Sequence, residues 1–407
     1  MRISTRSIFE NATTQLNTLQ SQMAKTQNQL STNRRMLSAA DDPIASARAL
    51  EVTQSQSLNT QYATNRANAN DSLALVESAL NDGADLIMDV QTLVVQAGGG
   101  ALSKEQRLML AAEVEGRMQD LLGVANRADG NGGYLFSGYK GSTVPFMQTD
   151  SGAIYQGDQG QRMLQVGPSR SIAISDSGNT IFENNRTGNG STQTIMVDGN
   201  KGGAVANSGS VTDASKLTGH NYTLEFKVSG SPAVTTYSVT DESTTPKSVV
   251  LADEPYVSGK QVAFDGTSFA ISGAPADGDK FEVKPSQRES IFTTMTNLVA
   301  ALRASDDDSA SLATLNNKLA TASEGLKSSL DNMLTVRASI GSRMKELDYL
   351  DDSGSDLGLQ YSGTLSRLQD LDIVKAISQY ATQQTTLEAA QKSFKTMSGL
   401  SLFNYIG

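Results

Sequence analysis

The sequence predicts an α+β chain: long N- and C-terminal α-helices pair as a coiled coil or helical bundle, with a Gly/Pro-rich β-strand region between them. Of the 8 prolines only Pro43 lies outside residues 144–290, and 22 of the 35 glycines fall between Gly130 and Gly278. Both residues disfavour helix interiors. Apolar residues step by three and four at the two ends and by two in the middle, the periods of helix and strand. The resulting plan has three parts. Residues 1–42 and 363–407 are terminal coiled-coil segments, disordered until assembly; 43–185 and 286–362 are a helical-bundle domain with short β elements; 186–285 are an outer β domain.

The N-terminal stripe passes through Phe9, Ala12, Leu16, Leu19, Met23, Thr26, Leu30, Asn33 and Leu37, which is heptad spacing weakened by Thr26 and Asn33. Asp41-Asp42-Pro43 marks a helix boundary, with Asp42 able to cap and Pro43 suited to the first turn. A second stripe follows through Leu73, Val76, Leu80, Gly83, Ile87, Val90 and Val94, and Gly98-Gly99-Gly100 breaks it. Ser103 and Gln106 form a capping-box pattern opening a third helix, with Leu110, Val114, Met118, Leu121 and Ala125 on one face.

Period two then takes over. Tyr222, Leu224, Phe226 and Val228 alternate with polar residues as in a half-buried strand, and Val262/Phe264 and Phe269/Ile271 flank an Asp265-Gly266 turn. Leu164/Val166 and Ile172/Ile174 mark shorter strands, while the Gly-, Asn- and Ser-rich stretch 186–220 is expected to hold little regular structure. Helix resumes with a capping box at Ser286 and Glu289, followed by Ile291, Met295, Leu298, Val299 and Leu302. After Asp306-Asp307-Asp308 the longest heptad run passes from Leu312 through Leu326, Met333, Ile340 and Arg343 to Leu350, some 40 residues or a rod on the order of 60 Å. The last helix carries Ile373, Ile377, Tyr380, Gln384, Leu387, Gln391, Phe394 and Met397.

Chemistry is harder to find. The chain has 407 residues, a net charge of −10, no cysteine, no tryptophan and one histidine, His220. That excludes disulfides, Cys/His zinc sites and cysteine nucleophiles, and it lacks the basic footprint of a nucleic-acid binder. Asp129-Gly130-Asn131-Gly132-Gly133 begins like a calcium loop, but Lys140 stands where a bidentate Glu belongs. Gly188-Asn189-Gly190 lacks the third glycine of a dinucleotide fingerprint, since Gln193 occupies that position. No apolar stretch approaches the roughly 18 residues of a membrane span, and the start MRISTRSIF has no secretory h-region. No catalytic, cofactor or metal site is expected. The candidate functional residues are therefore subunit-packing ones: Leu16, Leu19, Met23, Leu30 and Leu37 at one end, and Ile373, Ile377, Leu387, Phe394 and Met397 at the other. Helices with Thr, Asn and Gln on their seams are marginal in water and suit ends that order against copies of the chain.

MRISTRSIF, QLSTNRRMLSAADDP and NGGYLFSGYKG, together with the end LSRLQDLDIVKAISQYATQQTTLEAAQKSFKTMSGLSLFNYIG, resemble the flagellin superfamily and, within it, the flagellin-like hook-associated branch. The resemblance covers roughly the first 140 and last 120 residues and leaves about 186–285 unmatched. It implies a non-enzymatic structural part of the bacterial flagellum, exported unfolded without a cleavable signal through the flagellar type III apparatus. Implied partners are copies of the chain in a ring, the first hook-associated protein, flagellin and a flagellar export chaperone, with no nucleic acid and no membrane insertion. Alternatives are the flagellin filament subunit itself and a β-domain adhesin on a helical stalk; an enzyme fits worst.

Overall fold

The computed structural model describes residues 5–99 and 102–399, without the side chains of Thr5, Arg6, Ile8 and residues 397–399. Six helices are present among them: α1 (Thr5–Thr32), α2 (Pro43–Ala97), α3 (Lys104–Ala125), α4 (Ile291–Ala304), α5 (Ser309–Gln369) and α6 (Ile373–Gly399). Between α3 and α4 lie β1 (Phe146–Thr149), β2 (Gly152–Tyr155), β3 (Met163–Gly167), β4 (Arg170–Ala173), β5 (Asn185–Arg186), β6 (Thr192–Met196), β7 (Val205–Ala206) and β8 (Ser210–Val211). They are followed by β9 (Tyr222–Ser229), β10 (Val234–Asp241), β11 (Ser248–Pro255), β12 (Gln261–Phe264), β13 (Thr267–Ser272), β14 (Lys280–Pro285) and β15 (Arg288–Glu289). Terminal helices with a strand-rich middle are the architecture the residue periods imply. The chain divides into a terminal unit, residues 1–64 with 349–407, and a central unit, residues 65–348; α2 and α5 contribute to both.

In the central unit the helical stripes are core. Leu73, Val76, Leu80, Ile87, Val90 and Val94 of α2 are buried, as are Leu110, Val114, Met118 and Leu121 of α3 and Leu315, Leu319, Leu326, Met333 and Ile340 of α5. Gly83 is a close-approach position: a Cβ there would stand 3.1 Å from Met333 Sδ and 3.6 Å from Leu121. The capping box at Ser103 forms, with Gln106 N–H donating to Ser103 Oγ and Ser103 N–H to the Gln106 side chain. The NGGYLFSG stretch enters an aromatic core in which Phe136 meets Phe182 at 5.5 Å and Phe146 meets Phe292 at 5.2 Å. Edge-to-face and tilted ring contacts of this kind add to simple area burial.

Besides the two-stranded pairs β1-β2, β3-β4 and β5-β15, the β region has two larger antiparallel sheets, ordered β11-β10-β9-β14-β6 and β12-β13-β7, with β8 also pairing β13. Their inner faces share one core, to which β9 gives Tyr222, Leu224 and Phe226, β12 gives Val262 and Phe264, and β13 gives Phe269 and Ile271. Asp265 and Gly266 both adopt positive φ, 40° and 76°, in the two-residue turn that pairs Phe264 with Thr267. That is the geometry a D-G hairpin turn requires. Leu164 and Ile172 face each other across β3 and β4.

Four local expectations are corrected. Residues 186–220 hold more structure than their composition suggests, because Thr192–Met196 completes an edge of the larger sheet by pairing along β14. The second helix start is not a box at Ser286 and Glu289: Ser290 caps α4 through Phe292 N–H, Glu289 lies in β15, and the Ser286 hydroxyl donates to Thr187 O. The first heptad run ends early, since α1 stops at Thr32 and Asn33 turns to φ 53°, the left-handed conformation that asparagine tolerates after a helix. Arg343 is not an apolar seam residue. Its guanidinium grips buried Asp176 at 2.9 and 3.0 Å, and Asp176 also accepts from Gln161 Nε2 at 2.7 Å.

Candidate assembly surface

The terminal unit is built from antiparallel helices. Phe9 near the start of α1 lies 5.0 Å, ring to ring, from Phe394 near the end of α6, whereas Leu371 N–H donates to Asn33 O at the opposite end of the pair. Asn59 Nδ2 donates to Gly354 O, and Gln56 Nε2 to Ser362 Oγ, so the first part of α2 runs against the last part of α5. The two interhelical turns are tied together. Arg35 N–H donates to Gln369 O at 2.8 Å and its guanidinium to Leu368 O at 2.9 Å, while Arg34 forms a β-bridge with Asp370.

The Asp41-Asp42-Pro43 motif organises that turn. Asp41 Oδ2 accepts from the N–H groups of Leu37 and Ser38 at 2.9 and 3.0 Å, its Oδ1 accepts from Lys25 Nζ at 2.6 Å, and Asp42 Oδ1 caps α2 through Ala45 N–H. The Lys25 contact and then the two N–H groups hold the Asp41 carboxyl down to about 2, against 3.8 ordinarily. Depression means the carboxylate form favours the folded turn, so this contribution is complete above the ordinary value and fades as pH falls from about 4 toward 2. Asp41→Asn should leave the turn looser at neutral pH and remove its acid sensitivity, read by hydrogen exchange at Leu37 and Ser38.

The sequence-designated residues fall into two groups. Leu16, Leu19, Met23 and Leu30 of α1 and Phe394 of α6 are half-buried, Leu387 of α6 is 8% exposed, and Thr26 of α1 is buried as well. Leu37, Ile373 and Ile377 are not on the α1–α6 seam: they are exposed, Ile377 by 55%. The Met397 side chain lies outside the described residues. On α6 the inward positions are Ala376, Tyr380, Gln383, Leu387, Ala390 and Phe394, one residue away from the stripe through Ile373, Ile377, Gln384 and Gln391 except where both share Tyr380, Leu387 and Phe394. Sequence reading by hydrophobicity favoured the isoleucines over the alanines. The signal it missed is the three-four ladder of small and polar residues that lets backbones approach.

This inward set makes a thin core. The buried apolar side chains described in the terminal unit are Ala45, Ala49, Ala376 and Leu387, and Gln383 Oε1 is buried without a hydrogen-bond partner. Large apolar side chains point outward instead, with Ile44 77%, Leu50 71%, Leu359 71% and Val374 80% exposed. Scattered exposed leucines are ordinary, but a unit that exposes more large apolar residues than it buries is built for cover by another surface. Charge agrees: ten Lys/Arg and ten Asp/Glu fall in the terminal unit, leaving the whole net charge of −10 on the central unit. His220 stands apart in the β region, its Nδ1 2.7 Å from Asp241 Oδ2, and no group of three or more His, Cys, Asp or Glu among the described residues could hold a metal. No described helix is long and apolar enough to cross a membrane.

Paired terminal helices with a thin shared seam, joined to a strand-rich middle, define a structural subunit of the flagellin type. Residues 3–141 match the model of the bacterial flagellin N-terminal helical region, and 196–285 match the D2-like domain of flagellar hook-associated protein 1, covering most of the stretch that the terminal signatures leave unmatched. The chain is 30% identical to flagellar hook-associated protein 3 of Escherichia coli K12 over 404 residues and 30% identical to that of Salmonella typhimurium LT2, with 99% of each chain covered. Among solved structures, hook-associated protein 3 of Legionella pneumophila is 29% identical with a TM-score of 0.74, covering 78% of this chain and 98% of that one. Xanthomonas campestris FlgL is 28% identical with a TM-score of 0.71, covering 77% and 99%. The chain belongs to the flagellar hook-associated protein 3 family, the hook–filament junction proteins, and is a structural subunit of the extracellular part of the bacterial flagellum.

Proposed function

We propose that copies of this chain form a ring between the first hook-associated protein and the flagellin filament, held by the terminal unit. The observation that supports this most is the imbalance of that unit, whose core is largely alanine while Ile44, Leu50, Leu359, Ile373, Val374 and Ile377 face outward. Fully covering one such side chain contributes about 1.5–3 kcal/mol, so covering a few per copy adds substantially to what the α1–α6 seam supplies. Leu16, Leu19, Met23, Leu30, Leu387 and Phe394 would then set the helix pair, with Leu37, Ile373, Ile377 and Met397 meeting neighbouring subunits. The neutral terminal unit suits close packing of copies, and the acidic central unit suits a position where copies stand further apart.

The reading includes a non-enzymatic role, export without a cleavable signal, and a chaperone covering the C-terminal segment before assembly. It keeps the three-part plan: 1–42 with 363–407 ordering on assembly, 43–185 with 286–362 as helical domain, and 186–285 as outer β domain. Electron microscopy of flagella from a deletion strain tests it. Hooks lacking filaments, with flagellin shed into the medium, are expected; normal filaments would overturn the junction role. Limited proteolysis of the purified monomer should remove about 40 residues from each end and spare the rest, because a backbone ordered at roughly 1–2 kcal/mol per residue needs more burial than this seam provides. Resistance at both ends would refute ordering on assembly.

A further inference from the structure

The central unit contains a cavity of about 320 Å3 between strands β6 and β7 and helices α4 and α5. Two carboxylates line it. Glu289 Oε1 accepts the Thr294 hydroxyl at 2.7 Å, and Glu324 takes a hydrogen bond from the Ser208 side chain. Among the described residues neither carboxylate has a cationic partner, whereas Lys318, the one cation in the lining, is already paired with Asp198 at 3.6 Å with both side chains well exposed. Asn317, buried in the same wall, is fully occupied: it accepts from Ala206 N–H and donates to Ala204 O and Ala313 O. The remaining wall mixes short apolar side chains, Ile195, Met196, Ala300 and Ala320, with the polar ones of Thr194, Asn297 and Thr321, and holds no aromatic side chain.

That lining excludes most ligand classes. An anion would meet two carboxylates; a flat sugar or base would find no aromatic face to stack on. A wholly apolar guest would strip water from the carboxylates and hydroxyls without replacing their hydrogen bonds. A primary ammonium on a short alkyl stem fits each part. Its three donors suit the Glu289 and Glu324 carboxylates, and its stem suits Ile195 and Met196. We propose that this cavity binds an alkylammonium group, from a free amine or from a lysyl side chain.

Burial pushes the Glu324 carboxyl above the ordinary 4.5. A cation seated beside it would bring it back down, so affinity should rise with pH as Glu324 ionises. The other charged groups lining the cavity are Glu289, Asp198 and Lys318.

The test is calorimetric titration of the full chain, in one arm with 1,4-diaminobutane and in the other with Nα-acetyl-lysine N-methylamide. Saturable binding of one molecule per chain is expected in at least one arm, and the arm that responds identifies the source of the ammonium group. Glu324→Gln and Glu289→Gln should each weaken it roughly tenfold, with circular dichroism unchanged. Asp150→Asn, an exposed turn carboxylate, should leave affinity as it was and so separate the cavity from adsorption to an acidic protein. Lack of saturable binding in both arms, or equal affinity in wild type and both Gln variants, would overturn the proposal.

Discussion

Leu387→Asp should stop the protein from entering flagella while its central unit stays folded. Leu387 is the largest buried apolar side chain described in the terminal unit, flanked on its seam by Ala376, Gln383 and Ala390. A carboxylate there loses about 1.5–3 kcal/mol of burial and adds the cost of an unpaired charge among apolar neighbours. A seam whose other large apolar side chains are only half-buried has little reserve to absorb that, and every copy in an assembly repeats it. Phe394→Asp should act the same way more weakly, because Phe394 is only half-buried against Phe9. Motility of a complemented deletion strain, with circular dichroism of the purified variants, reads both effects. Normal swimming by both variants would show that the α1–α6 pair is not needed for assembly.

Arg343→Ala should destabilise the central unit by about 3–5 kcal/mol. Asp176 is 4% exposed, and the substitution leaves its carboxylate with Gln161 as its remaining side-chain donor. For a unit of this size the loss corresponds to a thermal midpoint lower by roughly 5–15 °C. Arg343→Lys should recover only part of it, since an ammonium cannot make the paired contacts that the guanidinium makes at 2.9 and 3.0 Å. Joint replacement, Arg343→Met with Asp176→Leu, should cost far less than either alone, because no buried charge is then left unpaired. Thermal unfolding followed by circular dichroism distinguishes these outcomes; a loss in the double variant equal to the sum of the Arg343→Met and Asp176→Leu losses would show the pair to be uncoupled.

The two predictions also mark where sequence reading was strong and where it failed. Leu387 and Phe394 stand on both the stripe read from the sequence and the seam seen in the structure, because a large apolar residue at helical spacing is visible to both. Ala376 and Ala390 were invisible, since alanine carries little hydrophobic signal and its value at a seam is the close approach it allows. Arg343 sat on an otherwise apolar heptad run, a sign that something must neutralise it, but the partner is 167 residues away and no local pattern points to it.

Properties set by local physics were thus determined by the sequence alone. Helix and strand periods, the capping box at Ser103, the D-G hairpin turn at Asp265-Gly266 and the cap by Asp42 need only neighbours within a few residues. So does the stripe of α2 or α5 that faces a core, because period and composition fix the buried side before any partner is known. The same holds for the lack of cysteine chemistry and for the terminal signatures of the flagellin type. Tertiary structure alone decided which apolar residues are covered within the chain and which are left outside. Ile373 and Ile377 stand on the apolar stripe designated for subunit packing and are exposed within the chain, because the face of α6 that turns inward carries Ala376, Gln383, Leu387 and Ala390 instead. Tertiary structure also made β6 a sheet edge, since a strand of Thr, Gln, Ile and Met in a Gly- and Asn-rich stretch forms only when β14 offers its backbone hydrogen bonds. The cavity holding Glu289 and Glu324 is of the same kind: the two carboxylates lie 35 residues apart in sequence on a short strand and a long helix, and only packing brings them to one wall.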